Sequence, residues 1–209
     1  MLYQSTRGGF SGVLSAEAIK MGIAPDGGLF VPENIVKIPH EMIKQMVEMD
    51  YKERAVSLLK LYLTDYIEKE IYESVSSAYC EEKFGSDEPA PIYKINDNTY
   101  ILELWHGPTC AFKDMALQLL PYLMVRAVSK TGETKEIVIL VATSGDTGKA
   151  ALEGFKNVNG TRIIVFYPFN GVSEIQKMQM ITQEGNNVYP LGVEGNFDDA
   201  QNGVKAIFT

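Results

Sequence analysis

EIVILVATSGDTGKA, residues 136–150, decides the fold of the chain. It opens with a nearly continuous run of β-branched and aliphatic side chains, as in a strand that is buried on both faces of a parallel sheet. The small-residue turn TSGDTG (143–148) follows, and KAALEGFKNV (149–158) then has apolar residues at helical spacing. A buried strand, a tight turn and a helix form the repeating unit of an α/β sheet.

The same alternation of strand and helix continues on both sides of this stretch. Further strands are predicted at TYILEL (99–104), TRIIVFYP (161–168) and NNVYPLG (186–192). Further helices are predicted at MALQLLPYLMVRAVSK (115–130), SEIQKMQMITQEG (173–185) and DDAQNGVKAIF (198–208). Pro121 lies inside the first of these helices and predicts a kink or a late start. The pattern predicts a parallel, doubly wound α/β sheet with right-handed crossovers.

The residues before this region are rich in turns and then helical. APDGGLFVPE (24–33) is a turn between apolar pieces, and residues 38–63 predict two amphipathic helices that meet near Asp50. Residues 68–85 predict a further helix that ends at Gly85. The break SDEPAP (86–91) then suggests two domains, a mainly helical one at 1–95 and an α/β one at 96–209.

The chain ends inside its last helical pattern with no stop signal. An open parallel sheet normally continues beyond such a point. We therefore expect the sequence to be part of a longer protein.

Composition excludes several classes of function. The 209 residues carry a formal charge of −8, so nucleic acid and anionic membrane surfaces are not expected partners. No apolar stretch reaches the ~20 residues that a membrane span needs. Cys80 and Cys110 form no disulfide framework, which favours a reducing cytoplasm. His40 and His106 lie in no metal-ligand spacing, so no metal site is expected.

The turn 143–148 has the composition of an anion-binding loop. Free N–H groups in the first turn of the following helix would point at a ligand, and the helix dipole favours negative charge. Ser144 and Thr147 add hydroxyl donors. The alternative is an ordinary helix start that Asp146 or Thr147 caps. The residues do not separate these readings, but they lack the spacing of a P-loop or a nucleophile elbow.

HGPTCAFKDMA (106–116) places Lys113 where an irregular segment becomes a helix. On spacing alone, a solvated lysine in the first helical turn is the simpler interpretation. The functional interpretation is a lysine that bonds to an aldehyde, which requires a neutral amine. A helix N-terminus and burial beside Phe112 and Trp105 would favour that form, whereas Asp114 would oppose it unless its side chain caps the helix.

Two other residues of this segment have weaker claims to a function. His106 could be a core residue, a hydrogen-bond donor or a phosphate contact, and a supporting role is favoured. Cys110 has no identifiable base as a partner, which argues against a nucleophile. Because loops 105–114 and 143–148 each follow a predicted strand, we expect both to open at one edge of the sheet, where α/β proteins bind ligands.

These segments resemble the threonine synthase family. HGPTCAFKDMA is similar to its pyridoxal-phosphate lysine segment, with a Gly-Pro-Thr-x-x-x-Lys-Asp core, and ATSGDTGKAA (142–151) is similar to its second motif. STRGG (5–9) and APDGGLFVPE (24–33) resemble its N-terminal signature. The three motifs occur in the family's order along the whole chain. The resemblance implies the tryptophan-synthase-β-like fold group of pyridoxal-phosphate enzymes.

The resemblance also implies residue roles. Lys113 would be the catalytic lysine that holds pyridoxal 5'-phosphate and moves the substrate proton, and Phe112 and Asp146 would be further cofactor-binding residues. The substrate would be bound by Thr143, Ser144, Gly145, Asp146 and Thr147. Many relatives in the wider fold group have Asn where this chain has Asp146, whereas the threonine synthase version has Asp.

The implied reaction converts O-phospho-L-homoserine and water to L-threonine and phosphate in the cytoplasm. The family's loop for the cofactor phosphate and its partner for the pyridine nitrogen lie further along the chain in its members, so we expect these residues alone not to turn over substrate. The alternatives are a threonine synthase-like phospho-lyase and a non-catalytic module that binds a phosphate metabolite. The sequence does not indicate the oligomeric state.

Overall fold

Regular structure covers most of residues 1–208, which are the residues that the computed structural model describes. The strands of this part of the chain are β1 (Tyr3–Ser5), β2 (Ser11–Val13), β3 (Phe30–Pro32), β4 (Ile92–Asn96), β5 (Thr99–Leu102), β6 (Ile137–Ala142), β7 (Thr161–Pro168) and β8 (Val188–Val193). Its helices are α1 (Ser15–Met21), α2 (His40–Val47), α3 (Tyr51–Tyr62), α4 (Glu68–Ala78), α5 (Glu81–Phe84), α6 (Asp114–Leu117), α7 (Leu120–Lys130), α8 (Asp146–Phe155), α9 (Glu174–Ile181) and α10 (Phe197–Phe208).

The chain divides into two compact units. The first unit comprises residues 1–82, 86–88 and 122–134, and the second comprises residues 83–85, 89–121 and 135–209. The proposed domains 1–95 and 96–209 stay a prediction, and Thr209 lies outside the described residues.

The second unit contains the predicted parallel sheet. Its strands lie in the order β6-β7-β8 and pair in parallel throughout. Helices α8 and α10 both pack on β6 and β7. Ile163 and Val165, on the central strand, are fully buried. The α/β class that the alternation predicted is therefore confirmed, with β7 at the predicted residues 161–168.

One strand that was predicted for this sheet lies in a different sheet. Residues 99–102 form β5, which pairs antiparallel with β4 in a separate two-stranded sheet. A short turn at Asp97 and Asn98 joins the two strands, and the Asn98 N–H donates to the Asn96 side chain at 3.0 Å. The apolar residues correctly predicted a strand. Its partner is β4, which lies so close in sequence that the two strands form a hairpin. The lysine segment therefore follows a hairpin and not a strand of the parallel sheet.

Two predicted helices are each divided into two. The segment 115–130 forms α6 and α7, and Pro121 is the second residue of α7, which confirms the late start. A proline fits there because the first N–H groups of a helix have no partner within it. The segment 68–85 forms α4 and α5, and Gly85 follows α5 with φ of 70°, a conformation that is common at helix ends.

The first unit contains the predicted pair of helices and a sheet that the sequence did not predict. Asp50 caps α3 through a reciprocal capping box with Glu53, so the meeting point of α2 and α3 is confirmed. The unpredicted sheet is antiparallel in the order β2-β1-β3. Each strand has three residues, which is too short for a periodic pattern.

Asp26 joins the two parts of the N-terminal signature within this unit. Its carboxylate accepts hydrogen bonds from Ser5 Oγ at 2.6 Å and from the N–H groups of Gly9 and Gly28, each at 2.9 Å. Its backbone carbonyl accepts a bond from the Arg7 guanidinium at 2.9 Å. These bonds explain why the segments STRGG and APDGG occur together: one carboxylate holds both turns.

Candidate active site

Thr143 shapes the turn between β6 and α8. Its side-chain oxygen accepts hydrogen bonds from the N–H groups of Gly145 and Gly148, both at 3.0 Å, and donates to the Gly145 carbonyl at 3.1 Å. The N–H of Thr143 extends the ladder by donating to the Phe166 carbonyl at 2.9 Å. Thr143 therefore caps α8, which corrects the expectation that Asp146 or Thr147 does so. Its buried hydroxyl serves the loop, and its substrate contact stays a prediction.

This arrangement leaves donors at the helix start. Within residues 1–208, the N–H groups of Ser144, Asp146 and Thr147 have no hydrogen-bond acceptor. The hydroxyl of Ser144 is exposed and that of Thr147 is half-buried. Gly145 has φ of 157° and lies against the Gln176 side chain, where a Cβ would collide. The loop therefore offers several donors to an anion at the positive end of a ten-residue helix.

Gln176 is a residue of this site that sequence reasoning missed. Its side-chain nitrogen donates to Asp146 Oδ1 at 3.1 Å, and its oxygen accepts a bond from Ser173 Oγ at 3.1 Å. Ser173 and Gln176 also form the capping box of α9. The spacing Ser-x-x-Gln could have indicated that cap, but not the contact with another helix.

Lys113 is the N-cap residue of α6. Its amino nitrogen lies 4.3 Å from the centre of the Phe112 ring. It makes no ion pair with any carboxylate of residues 1–208. Phe112 and Trp105 are 61% and 50% exposed, whereas Lys113 itself is half-buried, so these two rings do not enclose the lysine as expected.

Asp114 turns away from Lys113 and into the segment that precedes it. Its carboxylate oxygens accept the N–H and the hydroxyl of Thr109, each at 2.8 Å, and the residue is fully buried. Burial raises the pKa of the Asp114 carboxyl, although the bonds from Thr109 act to lower it. Gly107 packs against this side chain, where a Cβ would lie 2.5 Å from Asp114 atoms. Asp114 therefore does not cap the helix, which was the alternative that the sequence offered, because its partner Thr109 precedes α6 and α6 has no side-chain cap.

His106 and Cys110 have simpler surroundings. The imidazole Nε2 of His106 lies 2.7 Å from Glu103 Oε2, and the ring stacks on Trp105 at 5.8 Å. This contact gives His106 a structural partner within its own loop. Cys110 is exposed, with φ of 58°.

Helix packing relates the lysine segment to the 143–148 loop. Helix α6 packs against α8, and a Cβ on Gly154 would collide with the Leu117 carbonyl oxygen. The charge of Glu153 on α8 raises the pKa of Asp114, and the charge of Lys149 on the same helix lowers it. The two loops are thus linked by the packing of α6 on α8. The expectation that both loops follow strands of one sheet is wrong for the lysine segment.

Residues 1–208 lack two kinds of feature. None of their helices is long and apolar enough to cross a membrane. In the same part of the chain, no group of three or more His, Cys, Asp or Glu residues could hold a metal ion.

The chain has clear relatives. The family model for the N terminus of threonine synthase matches residues 2–79. Threonine synthase from Pseudomonas aeruginosa is 41% identical over 211 residues, covering 100% of this chain and 44% of that protein. Threonine synthase-like 1 from Pongo abelii is 40% identical, covering 92% of this chain and 26% of its own length.

A solved structure agrees with this assignment. The crystal structure of the PLP-bound threonine synthase from Brucella melitensis matches with a TM-score of 0.88 and 38% identity, over 100% of this chain and 44% of that one. The chain thus spans less than half the length of the relatives that it matches. It corresponds over its whole length to the N-terminal part of the threonine synthases and has the tryptophan-synthase-β-like α/β fold of that family.

Proposed function

We propose that this chain provides the cofactor lysine and the substrate-carboxylate loop of a threonine synthase, which converts O-phospho-L-homoserine and water to L-threonine and phosphate. The observation that carries the proposal is the environment of Lys113. Its amine has no carboxylate partner in residues 1–208, because the adjacent carboxylate of Asp114 is engaged by Thr109. A lysine without an ion pair is available to bond to an aldehyde.

The residues present fit pyridoxal phosphate. Lys113 Nζ would hold it covalently, the exposed Phe112 ring beside that amine offers an aromatic surface, and Asp146 offers a carboxylate that Gln176 holds in place. The bound cofactor supplies an electron sink that stabilises negative charge at the substrate carbon next to the amine.

The 143–148 loop would bind the substrate's carboxylate. The free N–H groups of Ser144, Asp146 and Thr147 are donors of the kind that hold an anion at a helix N-terminus. A substrate oriented there would present its Cα proton to Lys113, whose amine could accept that proton and return it later. Thr143 would act through the shape of the loop. Both cysteines of the described chain are free, which supports our placement of the enzyme in the cytoplasm.

Covalent binding of the cofactor can be tested separately from turnover. The protein is mixed with pyridoxal phosphate and reduced with borohydride, and the added mass is located by peptide mass spectrometry. Lys177 is a matched internal reference, because it is also half-buried with its amine 3.9 Å from the ring centre of Phe169. We expect label on Lys113 well above that on Lys177, and none at this position in Lys113→Ala.

Equal labelling of the two lysines would contradict the proposal, since it would show that the segment 106–116 confers no selectivity. Because the chain spans 44% of the Pseudomonas aeruginosa relative, we expect selective labelling without release of threonine by these residues alone. Threonine release from O-phosphohomoserine would overturn that second expectation only.

A threonine synthase-like phospho-lyase is the second candidate. Its support is that threonine synthase-like 1 is 40% identical to this chain, about as similar as the threonine synthase of Pseudomonas aeruginosa. Product analysis with O-phosphohomoserine separates the two functions, because the first yields threonine and the second yields an elimination product. The assay uses a full-length protein that contains this chain.

A further inference from the structure

We propose that Thr109 and Asp114 form a latch that positions Lys113 for covalent bonding to an aldehyde and keeps the neighbouring carboxylate away from its amine. The proposal rests on the proposed function, which assigns Lys113 to the cofactor. It goes further by giving a positioning role to two residues that touch neither cofactor nor substrate.

The latch closes the segment that carries the lysine. Both contacts run from Thr109 to Asp114 at 2.8 Å, one from the backbone N–H and one from the hydroxyl. They join the two ends of the stretch 109–114, so the intervening residues, including Lys113, form a closed loop. Asp114 is fully buried and Gly107 packs against it, so the hydrogen bonds that close the loop lie on its buried side.

The peptide group between Lys113 and Asp114 is also fixed. The Asp114 N–H donates to the Ala111 carbonyl at 3.0 Å, and the Lys113 carbonyl accepts bonds from Ala116 and Leu117 at 3.2 and 2.9 Å. The position of the Lys113 Cα thus depends on the turn that the latch closes and on the start of α6. A small displacement there would move the amine by a comparable distance, and bond formation depends steeply on such geometry.

The latch also has an electrostatic consequence. A carboxylate next to Lys113 in sequence would otherwise be free to pair with the ammonium form and oppose the neutral amine. Both Asp114 oxygens are engaged by Thr109 instead. Two other charged groups, Glu153 and Lys149 of α8, affect the pKa of Asp114. Their charges have opposite signs, so they shift this pKa in opposite directions.

The test compares Thr109→Val, which removes the hydroxyl donor at similar volume, with Thr109→Ser, which keeps it. The readouts are the rate of borohydride-trapped pyridoxal phosphate on Lys113, with Lys177 as the internal reference, and its dependence on pH. We expect Thr109→Val to react about tenfold more slowly, since a bond to a charged group is lost. We expect Thr109→Ser to react like the parent protein.

The pH profile distinguishes a latch from a general loss of structure. In Thr109→Val the released carboxylate can approach the amine, so the midpoint of the profile should move to higher pH. Adding Asp114→Asn should move the midpoint back without restoring the rate. A structural role alone would predict no recovery of the midpoint. Circular dichroism confirms folding, and Gly107→Ala disturbs the latch from its other side if Thr109→Val does not fold.

The outcomes separate the two proposals. If Lys113 of the parent protein is not labelled selectively, the proposed function fails and the latch fails with it. If it is labelled and folded Thr109→Val matches Thr109→Ser in rate and pH midpoint, only the latch is overturned.

Discussion

The side-chain nitrogen of Gln176 donates a hydrogen bond to Asp146 Oδ1 at 3.1 Å, joining the N-termini of two helices. Gln176 begins α9 through its capping box with Ser173, and Asp146 is the first residue of α8. One glutamine therefore helps to cap the start of its own helix and also restrains the loop to which we assign substrate binding. Gly145 is needed beside it, because a Cβ at that position would collide with the Gln176 amide.

Gln176→Ala should lower the free energy of unfolding by about 1 kcal/mol, because it removes an interhelical hydrogen bond and half of a capping box. Gln179→Ala, an exposed position on the same helix, is the matched control and should change stability little. Urea unfolding of both variants measures the difference. Equal effects would mean that the bond to Asp146 adds nothing measurable.

Gly154→Ala should destabilise the protein by about 2 kcal/mol or more, although alanine is the better helix former. A Cβ at Gly154 would collide with the Leu117 carbonyl oxygen and lie 3.0 Å from the Leu117 carbonyl carbon. These are backbone atoms, so α6 and α8 would have to separate. Thermal unfolding provides the measurement.

Gly203→Ala is the control for that substitution. Gly203 lies within α10 and a Cβ there would meet no atom within 4 Å. Its helix should gain about 1 kcal/mol from the higher propensity of alanine. If both glycine variants gained stability, the close packing of α6 on α8 would be refuted.

Ser5→Ala should weaken the dependence of stability on acid. The hydrogen bond from Ser5 and then that from the Gly28 N–H lower the pKa of Asp26 below its ordinary value of 3.8. A lowered folded-state pKa contributes stability that is present above 3.8 and is lost as pH falls through the folded value. The difference in unfolding free energy between the parent protein and Ser5→Ala should therefore shrink below that pH.

Ser77→Ala, at an exposed position of α4, serves as the control for the acid experiment. Its effect should be small at every pH. A difference between the parent protein and Ser5→Ala that stayed constant from pH 7 to the acid limit would show that Ser5 does not act through the charge of Asp26.

Periodicity and turn residues were sufficient to predict the parallel sheet and the junction between α2 and α3. The run 136–142 correctly predicted a strand, but β6 lies at the edge of the sheet with no buried residue, so the expected burial on both faces is wrong. The helix junction predicted near Asp50 is present, because Asp50 is the N-cap of α3. These signals succeed because each is local: apolar residues repeat along one element, and turn residues mark where an element ends. The family resemblance was likewise carried by short motifs.

The contacts that build the site could not be predicted in this way. Asp146 and Gln176 are thirty residues apart in sequence, and nothing in either segment encodes their pairing. The partner of the strand 99–102 was wrong because an apolar alternation predicts a strand but not its neighbour. Thr143 as the cap of α8 was missed because it precedes the N-cap position, where capping residues are normally sought.

The buried amide of Gln118 gives a last prediction. Its side-chain nitrogen is enclosed and has no hydrogen-bond partner among residues 1–208, although the residue is only 2% exposed. An unsatisfied buried donor costs about 1–3 kcal/mol, and a methionine of similar shape removes that cost.

Gln118→Met should therefore raise the free energy of unfolding by about 1 kcal/mol, whereas Gln118→Glu, which buries a charge, should lower it by more than about 2 kcal/mol. Urea unfolding at neutral pH distinguishes these results. A clear loss of stability in Gln118→Met would mean that an internal water molecule bonds to the amide. Removing the amide would then leave that water buried without its hydrogen-bond partner, which costs stability.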